Sequence, residues 1–378
     1  MEFIRFGKLG RLGGLGAGVG SLMKWIQILT TTQTASNVQI PLTILIDSGK
    51  KVKIDWGNGT IVEVIGTGAE VVYASNYSEA GTFNIKFFGD TAFIRTFKII
   101  STNAVMTLPY GIANWKKLTG LTTLDLSNLA NFTSTGVHAD IPRVTNTLSL
   151  YNLPNFTSTG VHADIPRVTN TLTLSNLANF TSTGVHADIP RVTNTLSLYN
   201  LANFTSTGNH IDLPRVTDTL YLYALPNFTS TGNHIDLPRV TNYMRLYALP
   251  NFTSTGNHID LPRVTNTLSL YALPNFTSTG NISTIPNVTT ALYITLCPLV
   301  SITVDTPPTW TTTTITLQVG WSTANVDLFI VNWAQVTGTS TKTVNIAGNN
   351  GLVSTGDSAV AAALVVLQNK LKTMLYNY

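Results

Sequence analysis

The sequence predicts a mainly β protein: a solenoid of 24-residue repeats, preceded by a small β-sandwich and closed by a C-terminal helix. Three observations carry that prediction. Leucine or methionine recurs at Leu124, Leu148, Leu172, Leu196, Leu220, Met244, Leu268 and Leu292, each 24 residues after the last. Phenylalanine keeps the same period at Phe132, Phe156, Phe180, Phe204, Phe228, Phe252 and Phe276, with Val300 ending the series. Upstream of the repeats, short runs alternate apolar and polar residues between Gly/Asn turns, the period-2 pattern of half-buried strands.

Residues 1–35 form a Gly/Leu-rich lead with basic residues at Arg5, Lys8, Arg11 and Lys24. A secretory signal needs an unbroken apolar stretch, and here glycines and Arg11 interrupt it. The spaced apolar residues Phe3, Phe6, Leu9, Leu12 and Leu15 are therefore expected to anchor the chain in a larger assembly. Residues 36–105 carry the alternating runs Leu42–Ile46, Val52–Trp56, Ile61–Ile65, Thr82–Phe88 and Phe93–Ile99. Asp47-Ser-Gly, Gly57-Asn-Gly and Glu79-Ala-Gly separate them, which predicts a small antiparallel sandwich.

Residues 106–300 hold the repeats. The unit is Leu-x-Leu-x-x-Leu-x-x-Phe-Thr-Ser-Thr-Gly-x-His-x-Asp-(Ile/Leu)-Pro-Arg-Val-Thr-x-x. One unit cannot bury its own apolar face, whereas stacked units share a continuous core. In the second unit Leu148, Leu150, Leu153, Phe156, Ile165 and Val168 are expected inside, with Ser149 and Tyr151 outside. Residues 301–378 carry the fading pattern. Ile315–Leu317, Val326–Ile330 and Val344–Ile346 read as degenerate strands. Asp357 or Ser358 then caps an Ala-rich helix expected to run to about Tyr376, with Val360, Leu364, Leu367, Leu371 and Leu375 on its apolar face. A stack of repeats requires such an atypical terminal unit.

Composition narrows the function classes. Only 11% of the residues are charged and 43% are hydrophobic, which excludes a disordered charged tail. The net charge of +4 is diffuse, with no interleaved basic and aromatic platform for nucleic acid. No stretch approaches the ~20 apolar residues of a membrane-spanning helix. The single cysteine, Cys297, falls on a column otherwise filled by leucine and reads as a small buried hydrophobe.

Candidate site residues come in ladders. His138, His162, His186, His210, His234 and His258 each precede an aspartate by two residues, from Asp140 to Asp260. A linear column does not converge as a closed metal site does, so copied polar turns pairing within and between coils are expected, with no metal. Arg143, Arg167, Arg191, Arg215, Arg239 and Arg263 are expected to alternate in charge with the aspartates and so fix register. Asn-Phe-Thr recurs from Asn131 to Asn275 and is formally a glycosylation sequon. Its phenylalanine belongs to the core column, so the asparagines are expected to bond backbone. The outward tyrosines Tyr151, Tyr199, Tyr223, Tyr247 and Tyr271, joined by Tyr221 from the next column, are the candidate binding surface for protein or glycan. Cross-strand stacking is the competing role for that row. No nucleophile elbow, phosphate loop or His-Glu-x-x-His pattern is present. Neither catalytic residues nor a cofactor are expected.

Leu121-x-x-Leu124-x-Leu126 and its successors resemble bacterial leucine-rich repeats, especially the helix-poor repeats of BspA-like surface proteins. That family's usual asparagine is replaced here by Leu129, Leu153 and their counterparts, and Asn131 and its equivalents are candidates to substitute for it. Ile54-Asp-Trp-Gly-Asn-Gly-Thr60 with Tyr77-Ser-Glu-Ala-Gly-Thr-Phe83 resembles a PKD-like sandwich. The pairing is similar to proteins of bacterial surface layers and tailed phages, and the Gly-Arg-Leu-Gly-Gly-Leu-Gly lead looks more like phage virion proteins. The resemblance implies a leucine-rich-repeat β-solenoid in a structural or adhesion component of a phage particle, such as a fibre, spike or decoration. It would join other virion proteins through its N-terminus, as an oligomer or part of a larger assembly, and meet a host surface protein or glycan. A bacterial cell-surface adhesin is the alternative.

Overall fold

A computed structural model of the chain describes residues 25–33, 38–100, 102, 104–107, 111–286, 288–303, 314–335, 343–348, 350–371 and 373–376. Phe3, Phe6, Leu9, Leu12 and Leu15 lie outside the described residues. The fold is mainly β, with repeating parallel strands in sheets and a helix near the C-terminus.

Eight strands precede the repeats: β1 Ile26–Gln33, β2 Val38–Ile46, β3 Lys51–Asp55, β4 Ile61–Ile65, β5 Glu70–Tyr77, β6 Gly81–Gly89, β7 Ile94–Ile100 and β8 Val105–Thr107. One sheet runs β4-β3-β6-β1-β8, and β5-β2-β7 forms the other. All the pairings among these eight strands are antiparallel. β1 falls within the stretch that the sequence reading gives to the lead, yet it pairs along β6 and belongs to the sandwich. A register shift between Gln27 and Leu29 breaks its alternation, so that Ile26, Ile28, Leu29 and Thr31 are all buried, and the sequence shows no period of two there.

No seam separates the sandwich from the repeats. β7 pairs in parallel with Thr123–Ser127, the first repeat strand, and β8 pairs in parallel with Phe132–Thr133. The cores merge too. Phe87, Phe97, Trp115 and Phe132 make successive ring contacts at 5.1–6.5 Å, and the Trp115 indole N–H donates to the Ile28 carbonyl at 2.6 Å. Arg95 braces the outer edge by donating to both Asp47 carboxylate oxygens and to the Gly120 carbonyl.

Through the repeats, each Leu-x-Leu strand pairs in register with its copy one repeat on, as in Leu148↔Leu172 and Leu150↔Leu174. These strands extend a single 14-stranded sheet from β5 to Thr373–Leu375. The Phe-Thr-Ser-Thr-Gly segments form a second, 7-stranded parallel sheet. The inward set expected in the second unit is buried: Leu148, Leu150, Leu153, Phe156, Ile165 and Val168 are at most 2% exposed. Burying each such side chain contributes about 1.5–3 kcal/mol, and no unit could gain it alone.

The far end departs from the sequence reading in two places. Val326–Ile330, expected as a strand, lies in helix α1, Thr323–Ala334. The Ser322 side chain caps it by accepting from the Asn325 amide. Val326, Phe329, Ile330 and Trp333, spaced as one helical face, are all buried. Val326–Ile330 alone is ambiguous between strand and helix, and Trp333 beyond it completes the helical period. The second helix, α2, spans Ser358–Lys370 with Asp357 as its N-cap, ending short of Tyr376. The chain turns extended at Leu371, and Thr373–Leu375 adds an edge strand beside Thr343–Asn345, which leaves Leu375 exposed. Ile315–Leu317 and Val344 stand in the long sheet as expected. Between these elements the buried Asn350 side chain accepts from the Val319 and Trp321 amides and donates to the Leu317 and Ile346 carbonyls.

Candidate functional site

Each repeat contributes several polar columns to the stack, and their geometry separates structural from available groups. The histidines are core residues, 0–1% exposed. Each sits at the start of a single 3-10 turn, where its carbonyl accepts from the Ile or Leu three residues on. Each Nδ1 meets the serine hydroxyl of the next repeat at 2.6–2.8 Å: Ser158, Ser182, Ser206, Ser230, Ser254 and Ser278. Five rings also stack on a phenylalanine, with centroids 4.4–4.6 Å apart. The repeat's glycine is explained by this ring: a Cβ on Gly208 would come within 2.9 Å of His186 Cδ2.

The second ring nitrogen is poorly served. Nε2 of His258 lies 3.2 Å from the Ser301 carbonyl. In the five earlier repeats the equivalent backbone, such as Thr181 beside His138, favours a proton there without reaching hydrogen-bond geometry. Burial dominates, and all six histidines are pulled down to about 4. They are neutral at pH 7. Among the described residues no three of His, Cys, Asp and Glu come together as metal ligands would.

The asparagines of Asn-Phe-Thr bond backbone. Asn155, Asn179, Asn203, Asn227, Asn251 and Asn275 each donate to the carbonyl 25 residues earlier, at 2.7–3.0 Å. A ladder that the sequence did not reveal runs beside them: each threonine hydroxyl from Thr169 to Thr289 donates to the threonine carbonyl one repeat back. The Asp and Arg columns line the same clefts, as Asp164 does with Arg143 and Arg167, but without the ion pairs that would fix register. Among the described residues no ion pair joins the two columns, and Asp140 is held instead by Lys116 at 2.9 Å. Buried Ile141 and Pro142 turn the chain into the core between Asp140 and Arg143, so the arginines stand exposed along one edge. Cys297 is fully buried, and burial pushes its thiol up to about 11.

The tyrosines are on the outer face of the long sheet. Tyr199, Tyr223, Tyr247 and Tyr271 form one stack, with centroids 4.3, 4.0 and 4.2 Å apart and planes within 19°. Inner rings therefore have both faces covered and present only edges and hydroxyls. The neighbouring Tyr223 hydroxyl, then burial, push the Tyr247 phenol up to about 12. Tyr151 stands apart, with serines on both adjacent strands. Tyr221, in the central column, is covered by the Arg245 guanidinium at 5.2 Å. Tyr243, outward in the third column, accepts from the Asn266 side chain at 2.7 Å. A depression of about 580 Å³ opens among Tyr221, Arg245, Ser269, Tyr293 and the edge of the tyrosine stack. Arg245 and Tyr293 were not singled out from sequence; their signal was departure from the copied unit.

Among the described residues no helix is long and apolar enough to cross a membrane. No protein-family model matches the chain, and neither a curated protein nor a solved structure shows significant similarity to it.

Proposed function

We propose that the chain is a non-enzymatic structural and adhesion component of a phage particle, a leucine-rich-repeat solenoid carried on a PKD-like sandwich. On this reading residues 1–35 attach the chain to other virion proteins, and the repeats hold a contact face at a distance. The observation that carries the reading is the unbroken 14-stranded sheet, which runs from the sandwich through the strands of the tyrosine face. Eight repeat strands at ~4.8 Å spacing place the last of them roughly 34 Å from the first. The Asn, Thr and His side chains of each repeat are committed to holding its neighbours, while the tyrosine face and the Arg column face outward.

Mass spectrometry of purified particles beside envelope fractions of uninfected cells tests the assignment. The chain is expected in the particles at fixed copy number. Its recovery only from cell envelopes would replace this reading by a cell-surface adhesin.

A further inference from the structure

The outward face of the long sheet is nearly uniform until its second half. Strands Thr147–Tyr151, Thr195–Tyr199 and Thr267–Tyr271 all read Thr-Leu-Ser-Leu-Tyr. Thr219–Tyr223 reads Thr-Leu-Tyr-Leu-Tyr, Tyr243–Tyr247 reads Tyr-Met-Arg-Leu-Tyr, and Ala291–Thr295 carries Tyr293 at its centre. The core needs none of these outward changes, because the inward leucine and methionine positions stay apolar and buried throughout. They bring one charge to the face. From Thr147 to Gln318 the strands of this sheet hold no acidic residue and one basic residue, Arg245.

Arg245 is positioned and unspent. Its guanidinium lies over the Tyr221 ring, and among the described residues it makes neither an ion pair nor a hydrogen bond. Ser269 stands directly beside it on the next strand, and Tyr293 beside Ser269 on the one after. The small serine leaves a slot between Arg245 and Tyr293, whose strands lie two strand spacings, ~9.6 Å, apart. The Tyr247 side chain borders it along one side.

We propose that this slot binds an acidic sugar residue of a glycan, with its carboxylate on Arg245 and its ring against Tyr293. The proposal rests on the reading of this face as a contact surface and names its ligand class. A guanidinium presents paired N–H donors that match a carboxylate, and stacking on an aromatic ring leaves that edge free. The phenolic hydroxyls of Tyr247 and Tyr293, both lining the depression, can donate and accept, as sugar hydroxyls require. A single charge on a neutral face suits one carboxylate per ring. An acidic peptide brings several adjacent charges and backbone amides, for which the face has no further cations.

The test is binding of the full chain to immobilised matched pairs: sialyllactose with lactose, and oligogalacturonate with its methyl ester, alongside polyglutamate. At least one acid should be retained over its neutral partner. Arg245→Ser, which installs the side chain already tolerated at 149, 197 and 269, should lower that affinity at least tenfold with an unchanged melting temperature. Tyr293→Ser should weaken binding of the same acid. Equal binding of acid and neutral forms, unchanged binding by the Arg245→Ser protein, or retention of no acidic glycan would overturn the proposal. Polyglutamate retained as tightly as the glycans would assign the slot to an acidic protein instead. Any of these results, with the chain still found in particles, refutes the ligand and leaves the proposed role standing.

Discussion

His186 shows how a residue's chemistry is set by where the repeat places it. In sequence it is one of six histidines spaced as a ladder; in the structure its ring is fully buried between a serine hydroxyl and Phe228. Its folded pKa of about 4 lies below the 6.5 of a free histidine, so at pH values between the two the unfolded chain binds more protons. Stability is therefore complete above about pH 6.5 and lost as the pH falls towards 4, by about 2 kcal/mol per histidine at pH 5. The melting temperature should drop steeply from pH 7.5 to pH 5, and His186→Asn should reduce that slope by about one proton's worth. A melting temperature flat across this range would show that the histidines are not buried. The fit of ring to glycine gives a second residue-scale expectation. Gly208→Ala should cost about 1–3 kcal/mol by overpacking, and less in a His186→Ala background, as a double-mutant cycle by denaturant unfolding would show. A third concerns the left-handed corner after each Leu-x-Leu strand. Asparagine occupies it at 128, 152, 176 and 200, while Ala224, Ala248 and Ala272 adopt the same positive φ of 49–51°. Alanine is strained there, so Ala248→Asn should raise stability by about 0.5–1 kcal/mol in the same assay.

At the scale of elements, the period of the apolar residues made most of the fold legible. Leu148 and Phe156 repeat because their strands stack in register, and the sequence shows the register directly. Val326–Trp333 was less legible, since a short apolar run is ambiguous between strand and helix until its length is seen. The His–Ser pair was hidden because its members are 20 residues apart and meet only across adjacent repeats. The tyrosine row was legible as outward, but its stacking depends on ring planes that no spacing specifies. Each stacked pair contributes about 0.5–1.5 kcal/mol. Tyr223→Ser with Tyr247→Ser removes all three contacts of the stack. The double variant should keep its far-UV dichroism and lose about 1.5–4.5 kcal/mol in denaturant unfolding. No loss would show that the row is idle in the fold and leave contact as its sole role.

For the whole molecule, the parts depend on one another through shared edges. The sandwich covers the first repeat with Trp115 and Phe97, and α1, α2 and the buried Asn350 close the last. Both ends are irregular because a repeat can satisfy only a neighbour like itself. Between them the side chains of the Asn, Thr and His columns are turned towards adjacent repeats, and the distinctive chemistry is confined to the outward face around Arg245. The claim that joins these levels is that a particle-bound sandwich holds this face free for contact. A cryo-electron microscopy reconstruction of the assembled particle tests it most directly. The account predicts a short rod attached through its sandwich end, with the sheet face from Tyr199 to Tyr293 open to the exterior. A rod lying with that face sealed against the particle would contradict it.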